Sequence, residues 1–259
     1  MDLPRNGEIE DAVILAAGLG SRLIGANPGP KCLAMVQGRT VFHWIARALA
    51  AAGVFRLHVV LGHRAELLER ALHAESVPLA LSTTCCPDWE LGNGRSALHA
   101  RTVVGDQPRF LLLMSDHLVS SEHVRRVTRA SGEHPDVSWL ATCPAGTVQG
   151  DLDDATKVTI DERSCITSIG KELPAYNGID TGVFLFTQSI FPALEEAAAS
   201  GEFSLTGGNR VLARRRTLRA VSVAGLIWQD IDTRADLELA RRDARHILSE
   251  EELPVSDPG

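Results

Sequence analysis

Three short apolar runs, each followed by a helical pattern, restrict what this chain can fold into. AVILAA (12–17), LHVVLG (57–62) and FLLLMSD (110–116) read as buried strands, the third ending in polar residues. In TVFHWIARALAAAG, Thr40 is placed to cap a helix, Trp44, Ile45, Ala48 and Leu49 form one apolar face, and Gly53 suits the exit. HRAELLERALHA and SSEHVRRVTRAS repeat the pattern. Strand and helix in regular succession predict an α/β fold, a Rossmann-like, mainly parallel mixed sheet flanked by helices. Ligands of such sheets sit beyond the carboxyl ends of the strands.

The 259 residues, 44% hydrophobic, are enough for one large core. The boundaries expected are an N-terminal extension at 1–10, one domain at 11–249 and a flexible polar tail, EELPVSDPG, over 250–259. A net charge of −7 argues against a chain built to coat nucleic acid or an anionic membrane. With no signal-like apolar segment and no run approaching the ~20 apolar residues of a membrane span, a cytoplasmic protein without direct membrane insertion is expected. The five cysteines fit neither a disulfide framework nor a zinc spacing, and read as structural thiols.

The strand-end loops hold the unusual residues: Gly18-Leu19-Gly20-Ser21-Arg22, then Ser115-Asp116-His117, then Gln229-Asp230-Ile231-Asp232-Thr233. KVTID and CITSIG predict two short strands in a small second lobe at about 144–180. The glycine loop lacks the third glycine of the dinucleotide fingerprint, and GPKC is not the G-K-[ST] of a P-loop. Glycines still let backbone N–H groups turn toward an anion, and Arg22 and Lys31 add charge suited to a polyphosphate.

LAAGLGSRL followed by PKCLA resembles the signature of the sugar-phosphate nucleotidyltransferases, which join a nucleoside triphosphate to a small phosphate and release pyrophosphate. GNGRSALHA (92–100), LLLMSDH (111–117), DATKV (154–158), IGKELPAYNGIDTGVF (169–184) and WQDIDTRADL (228–237) extend the resemblance toward the cytidylyltransferases of inositol 1-phosphate. It implies the nucleotide-diphospho-sugar transferase fold with an acceptor-binding lobe. It also implies nucleotide contacts from Leu15, Ala17, Gly18, Gly20, Ser21, Arg22, Lys31, Asn93, Gly94, Ser96 and Asp116. Acceptor contacts fall to His117, Lys157, Lys171 and Asp180, and the catalytic cations are Arg22, Lys31 and Lys171.

The reaction itself asks for such groups. A phosphate monoester is largely ionised near neutral pH and needs positioning and charge neutralisation more than a strong base. Mg²⁺ takes one or two carboxylates plus phosphate oxygens, and Asp116 and Asp230, each just beyond an apolar strand, supply that pair, with Asp232 a close rival. Plainer readings of the same residues are Asn93-Gly94 as a turn with Ser96 as a helix cap, His117 held by a backbone partner, Asp232 or Thr233 as a cap, and Lys157 and Lys171 as solvated lysines.

CTP and inositol 1-phosphate are the substrates the resemblance favours. GTP or another pyrimidine triphosphate stays open, as do a sugar 1-phosphate, a modified cyclitol phosphate or phosphonate, and phosphocholine. From another class, the alternative is a catalytically silent sugar-nucleotide-binding regulator, against which the retention of Lys31, Asp116 and Asp230 speaks. The resemblance further implies a product, CDP-inositol, consumed by a separate membrane CDP-alcohol phosphotransferase in phospholipid synthesis, and it is compatible with a homodimer. One departure concerns the acceptor: where the family pattern reads Ser-Leu-Ser-Asp-Gly, this chain has Ser204-Leu205-Thr206-Gly207-Gly208.

Overall fold

The structure is a computed structural model that describes residues 9–20, 30–132, 134–146 and 154–247. Ser21 and Arg22, the expected tail at 250–259, residues 1–8 of the expected extension and residues 147–153 of the expected lobe lie outside the described residues.

The chain begins with strand β1 (Asp11–Ala16), a short hairpin of β2 (Met35–Val36) and β3 (Arg39–Thr40), and helix α1 (Val41–Ala51). Strand β4 (Arg56–Leu61), α2 (Ala65–Ala74), β5 (Ala80–Cys85), α3 (Asn93–His99), α4 (Arg101–Val104) and β6 (Arg109–Met114) follow. Next come β7 (His117–Leu118), α5 (Ser121–Ser131), β8 (Ser138–Pro144), β9 (Lys157–Ile160), β10 (Ile166–Gly170) and β11 (Gly178–Thr187). The last elements are α6 (Ile190–Ala199), α7 (Leu205–Arg214), β12 (Leu218–Ser222), β13 (Gln229–Asp230) and α8 (Arg234–Ile247).

The central sheet runs β10-β9-β11-β6-β1-β4-β5, with β8 against β11 and β12 against β8. Strands β6, β1, β4 and β5 are all parallel, as the buried apolar runs predict; β11 is antiparallel to β6, β8 and β9. Along β1, Ala12, Ile14 and Ala16 face a layer that includes α1, α5 and α8, while Val13 and Leu15 face α3, α4, α6 and α7. This period of two places one apolar core on each side of the sheet.

Local chemistry sets the boundaries. Thr40 caps α1 through its hydroxyl, which accepts the His43 N–H at 3.0 Å, and Gly53 exits at φ +95°. At the start of β1, Asp11 is buried and paired with Arg56 (2.6 Å) and His58 (2.9 Å) of the neighbouring strand, which pins β1 to β4. Burial raises the Asp11 carboxyl, but these partners outweigh it and hold it at about 2.

Strand β11 joins the two halves. Gly178 and Ile179 pair with β9, whereas Val183 to Thr187 pair with β6. Between them the β8 pairing shifts register and Gly182 adopts φ +74°. The strands of the expected lobe thus extend the same sheet.

Candidate active site

Beyond β1 the chain turns sharply. Gly20 has φ +62°, and a Cβ there would lie 3.1 Å from Lys31 Cγ, so glycine serves both the turn and the close approach. Pro30 precedes a single 3₁₀ turn, Lys31–Leu33, anchored by buried Cys32, and this turn brings Lys31 against Gly20. A pocket at this end of the sheet is lined by Leu15, Ala17, Gly18, Gly20, Lys31, Asn93, Ser96 and Asp116, among others.

The start of α3 shows what GNGRS does locally. Asn93 opens the helix and its Oδ1 accepts the Leu205 N–H at 2.8 Å; Gly94 N–H donates to the Phe203 carbonyl at 2.8 Å. A Cβ on Gly94 would meet that carbonyl oxygen at 2.5 Å, so Gly94 is needed for packing α3 against the segment before α7. Ser96 is buried within the helix; it lines the pocket and is not the helix cap. Trp89 also lines the pocket, seated against Gly62, where a Cβ would clash with the indole at 2.5 Å.

Asp116 follows β6, and a two-residue mini-sheet brings the distant Asp230 beside it. Strand β13 pairs with β7 in the register Asp230 opposite His117, and Ile231 N–H donates to the Asp116 carbonyl at 2.9 Å. His117 Nδ1 lies 3.0 Å from Asp116 Oδ1 and 3.9 Å from Asp230 Oδ1. Its partner is therefore carboxylate and not backbone. The imidazole stacks on Trp228 (centroids 5.4 Å apart, planes within 3°), whose indole N–H donates to Cys143 Sγ at 3.0 Å. A Cβ on Gly182 would sit 2.7 Å from the His117 ring.

Lys31 Nζ lies 2.8 Å from Asp116 Oδ2 and also pairs with Asp232. The capping rivalry is resolved next door: Thr233 Oγ1 faces Asp236 N–H and Asp236 Oδ2 accepts the Thr233 N–H at 2.7 Å, so Thr233 starts α8 and Asp232 is left to the lysine.

The electrostatics follow from burial and crowding. Burial opposes charge on Asp116, yet His117 and Lys31 hold its carboxyl well below the usual range. Burial alone would neutralise His117, but Asp230, Asp116 and Asp180 raise it to about 9, so the imidazolium persists at neutral pH. Asp180 and Asp230 are both pushed up to about 6, first by burial and then by neighbouring carboxylates. Four carboxylates against Lys31 and His117 leave an excess of two negative charges, a deficit one divalent cation balances.

The donor set fits Mg²⁺. Ligand atoms of Asp116, His117 and Asp230 lie within 4.8 Å of one another, and Asp230 Oδ1 is buried with no hydrogen-bond partner. Carboxylate oxygens suit this hard cation and imidazole does not, so Asp116 and Asp230 are the residues that would hold it, with His117 orienting Asp116.

On the lobe side a cavity of about 700 Å³ opens from the same acidic cluster and includes Lys171 and Asp180. Lys171 pairs with Asp154, and Asp180 Oδ1 accepts the Gly182 N–H at 2.7 Å. Lys157 is placed differently. It is buried, donates to the Lys171 carbonyl at 2.7 Å and lies over the Tyr176 ring, so it braces the β9–β10 hairpin behind the cavity.

The missing acid of the Ser204 motif has a local explanation: position 207 is third in α7, the place from which a carboxylate reaches back to the cap N–H. Glu202 does this instead, accepting the Ser204 N–H at 3.2 Å, while Ser204 Oγ accepts the Gly207 N–H.

Trp89, Trp228 and Asn209 line these spaces without having been singled out in the sequence. Trp228 opens the WQDIDTRADL motif, and that position is the signal that marks it.

The chain matches the model of the MobA-like NTP transferase domain over residues 12–220. It is 36% identical over 231 residues to a bifunctional IPC transferase and DIPP synthase of Rubrobacter xylanophilus, covering 88% of this chain and 50% of that protein. A protein of the same description from Thermococcus kodakarensis is 33% identical, with 90% and 50% covered. The chain thus spans about half the length of these curated relatives. Among solved structures, the inositol-1-phosphate CTP transferase from T. maritima superposes with a TM-score of 0.76 at 25% identity, covering 92% of this chain and 97% of that one. A UDP-glucose pyrophosphorylase complexed with UDP-glucose shares the fold at a TM-score of 0.76 and 17% identity, with 92% and 98% covered.

Proposed function

Because the chain belongs to the MobA-like NTP transferase family and is a nucleotidyltransferase, we propose that it transfers a cytidylyl group from CTP to inositol 1-phosphate, with Mg²⁺, forming CDP-inositol and pyrophosphate. The observation that carries this reading is the joining of two spaces at one cluster. The glycine-loop pocket and the lobe-side cavity share Lys31, Asn93, Met114 and Asp116.

In this reading the triphosphate lies along Gly18 and Gly20, whose backbone faces it, with Lys31 neutralising phosphate charge. Ser21 and Arg22 would complete that loop. Asn93 and Ser96 line the nucleoside side. The acceptor enters the larger cavity, with Lys171 holding its phosphate toward the α-phosphorus and Asp180 accepting hydrogen bonds from its hydroxyls. Bound to Asp116 and Asp230, Mg²⁺ would supply charge neutralisation for the triphosphate. His117, charged and stacked on Trp228, keeps the Asp116 carboxylate aimed.

A membrane CDP-alcohol phosphotransferase is the proposed consumer of the product. Among the described residues no helix is long and apolar enough to cross a membrane.

The test is a matrix of four nucleoside triphosphates against inositol 1-phosphate, sugar 1-phosphates, cyclitol phosphates and phosphocholine, scored by pyrophosphate release. The reading expects the CTP and inositol 1-phosphate combination to give the highest kcat/KM. A higher value for phosphocholine overturns the acceptor, and a higher value for another triphosphate overturns the base.

A further inference from the structure

Asn209 stands out among the buried polar groups of the cavity. It lies on α7 at 1% exposure, lines the lobe-side cavity, and its Oδ1 is buried with no hydrogen-bond partner. A buried amide oxygen left unmatched is costly, so native structures pair such atoms, with protein, water or ligand.

The helix that carries it cannot easily shift to find one. A Cβ on neighbouring Gly208 would meet the Leu194 side chain at 2.6 Å, which shows how closely α7 is pressed on α6. On the opposite side Arg210 Nε donates to the Ile169 carbonyl at 3.0 Å, fastening α7 to β10. Ser204 and Glu202 fix its first turn. The amide is held rigidly at the cavity wall with its acceptor unspent, which is the condition for discriminating a ligand donor.

Phosphate has no use for that oxygen, since an ionised phosphate only accepts hydrogen bonds. A hydroxyl does, because it donates to the amide oxygen and can accept from the amide NH₂. We infer that Asn209 is a specificity-determining residue that reads one ring hydroxyl of a polyol phosphate acceptor. This rests on the proposed function for the class of acceptor and adds to it a second reader beside Asp180.

The experiment compares wild type with Asn209→Leu, which keeps the branched four-atom side chain and removes the amide, and with Asn209→Ser as a smaller polar control. CTP affinity by calorimetry and thermal stability should stay near wild type for both, because the amide has no protein partner to lose. With inositol 1-phosphate, Asn209→Leu should lower kcat/KM about 100-fold, chiefly through KM. Among monodeoxy inositol phosphates, one should be a correspondingly poor substrate for wild type, yet no worse for Asn209→Leu than the parent.

If wild type uses inositol 1-phosphate while Asn209→Leu retains its efficiency, or still discriminates against every deoxy analogue as wild type does, the role of Asn209 is wrong and the proposed function stands. A fall in thermal stability with discrimination unchanged assigns the amide a structural role and overturns the inference. If wild type turns over no polyol phosphate, the acceptor class fails and the inference fails with it.

Discussion

Lys31 sits between two carboxylates far apart in sequence, Asp116 at 2.8 Å and Asp232 on its other side. Burial alone would discharge the ammonium, but these partners raise its pKa, so it is charged at every pH at which the protein works. The free enzyme therefore holds this cation against its own acids, and under the proposed function a triphosphate must outcompete them.

Replacing Lys31 with Ala is expected to lower kcat by about 100-fold, the ~3 kcal/mol typical of a lost electrostatic contact to a reacting centre. Circular dichroism should remain that of wild type. Near-normal pyrophosphate release from a folded variant removes Lys31 from the chemistry.

The two rival aspartates are separable by metal titration. Asp230→Asn should raise the Mg²⁺ concentration needed for half-maximal activity by tenfold or more, because it removes a hard ligand at the unsatisfied Oδ1. Asp232→Asn should leave that concentration near wild type and change the triphosphate KM instead, since its partner is Lys31. The reverse pattern would exchange their roles.

Stability in acid should depend on a histidine outside the site. His123 is fully buried in α5 with Nε2 unpartnered, and burial, aided by Arg126, lowers its pKa to about 3. The unfolded chain binds this proton near pH 6.5 and the folded one does not, so stability is complete above 6.5 and falls as pH drops toward 3. Asp180 and Asp230, raised to about 6, work the opposite way between the ordinary carboxylate value and 6. The difference between wild type and His123→Leu isolates the histidine. From pH 6.5 to 5 wild type should lose about 2 kcal/mol relative to the variant in urea unfolding. Parallel pH profiles would rule out His123 as the acid-sensitive group.

Gly182 tests the placement of His117. Alanine there meets the imidazole at 2.7 Å and must also adopt φ +74°. The backbone strain costs about 1–2 kcal/mol, and displacement of the ring should lower kcat by at least tenfold. Measuring both melting temperature and turnover separates the effects: stability lost with turnover intact means that the exact seat of His117 is immaterial.

Much of the fold was legible because apolar periodicity reports burial directly. AVILAA, LHVVLG and FLLLM fall on β1, β4 and β6, and Thr40 caps α1 as its position predicts. The clustering of Lys31, Asp116 and Asp230 could be anticipated from strand ends and motif resemblance, but its mechanism could not. The β7–β13 pairing depends on two-residue strands too short to leave a pattern. Gly94 and Lys157 read as site residues from their motifs, whereas packing against Phe203 and the Lys171 carbonyl accounts for where they lie. Asn209 carried no sequence signal at all, because a buried amide and a solvated one look alike until the surroundings are known.

The division of β11 between β9 and β6 bears on how such a protein can be re-engineered. The strand that lines the lobe-side cavity also carries Gly182, against which His117 is seated, and its far end pairs with β6. Under the proposed function, acceptor preference is consequently not a cassette: a grafted lobe brings a new β11 and with it a new seat for His117. Changes confined to side chains that face the cavity preserve that shared spine, whereas transplantation of the whole hairpin puts the catalytic geometry itself up for redesign.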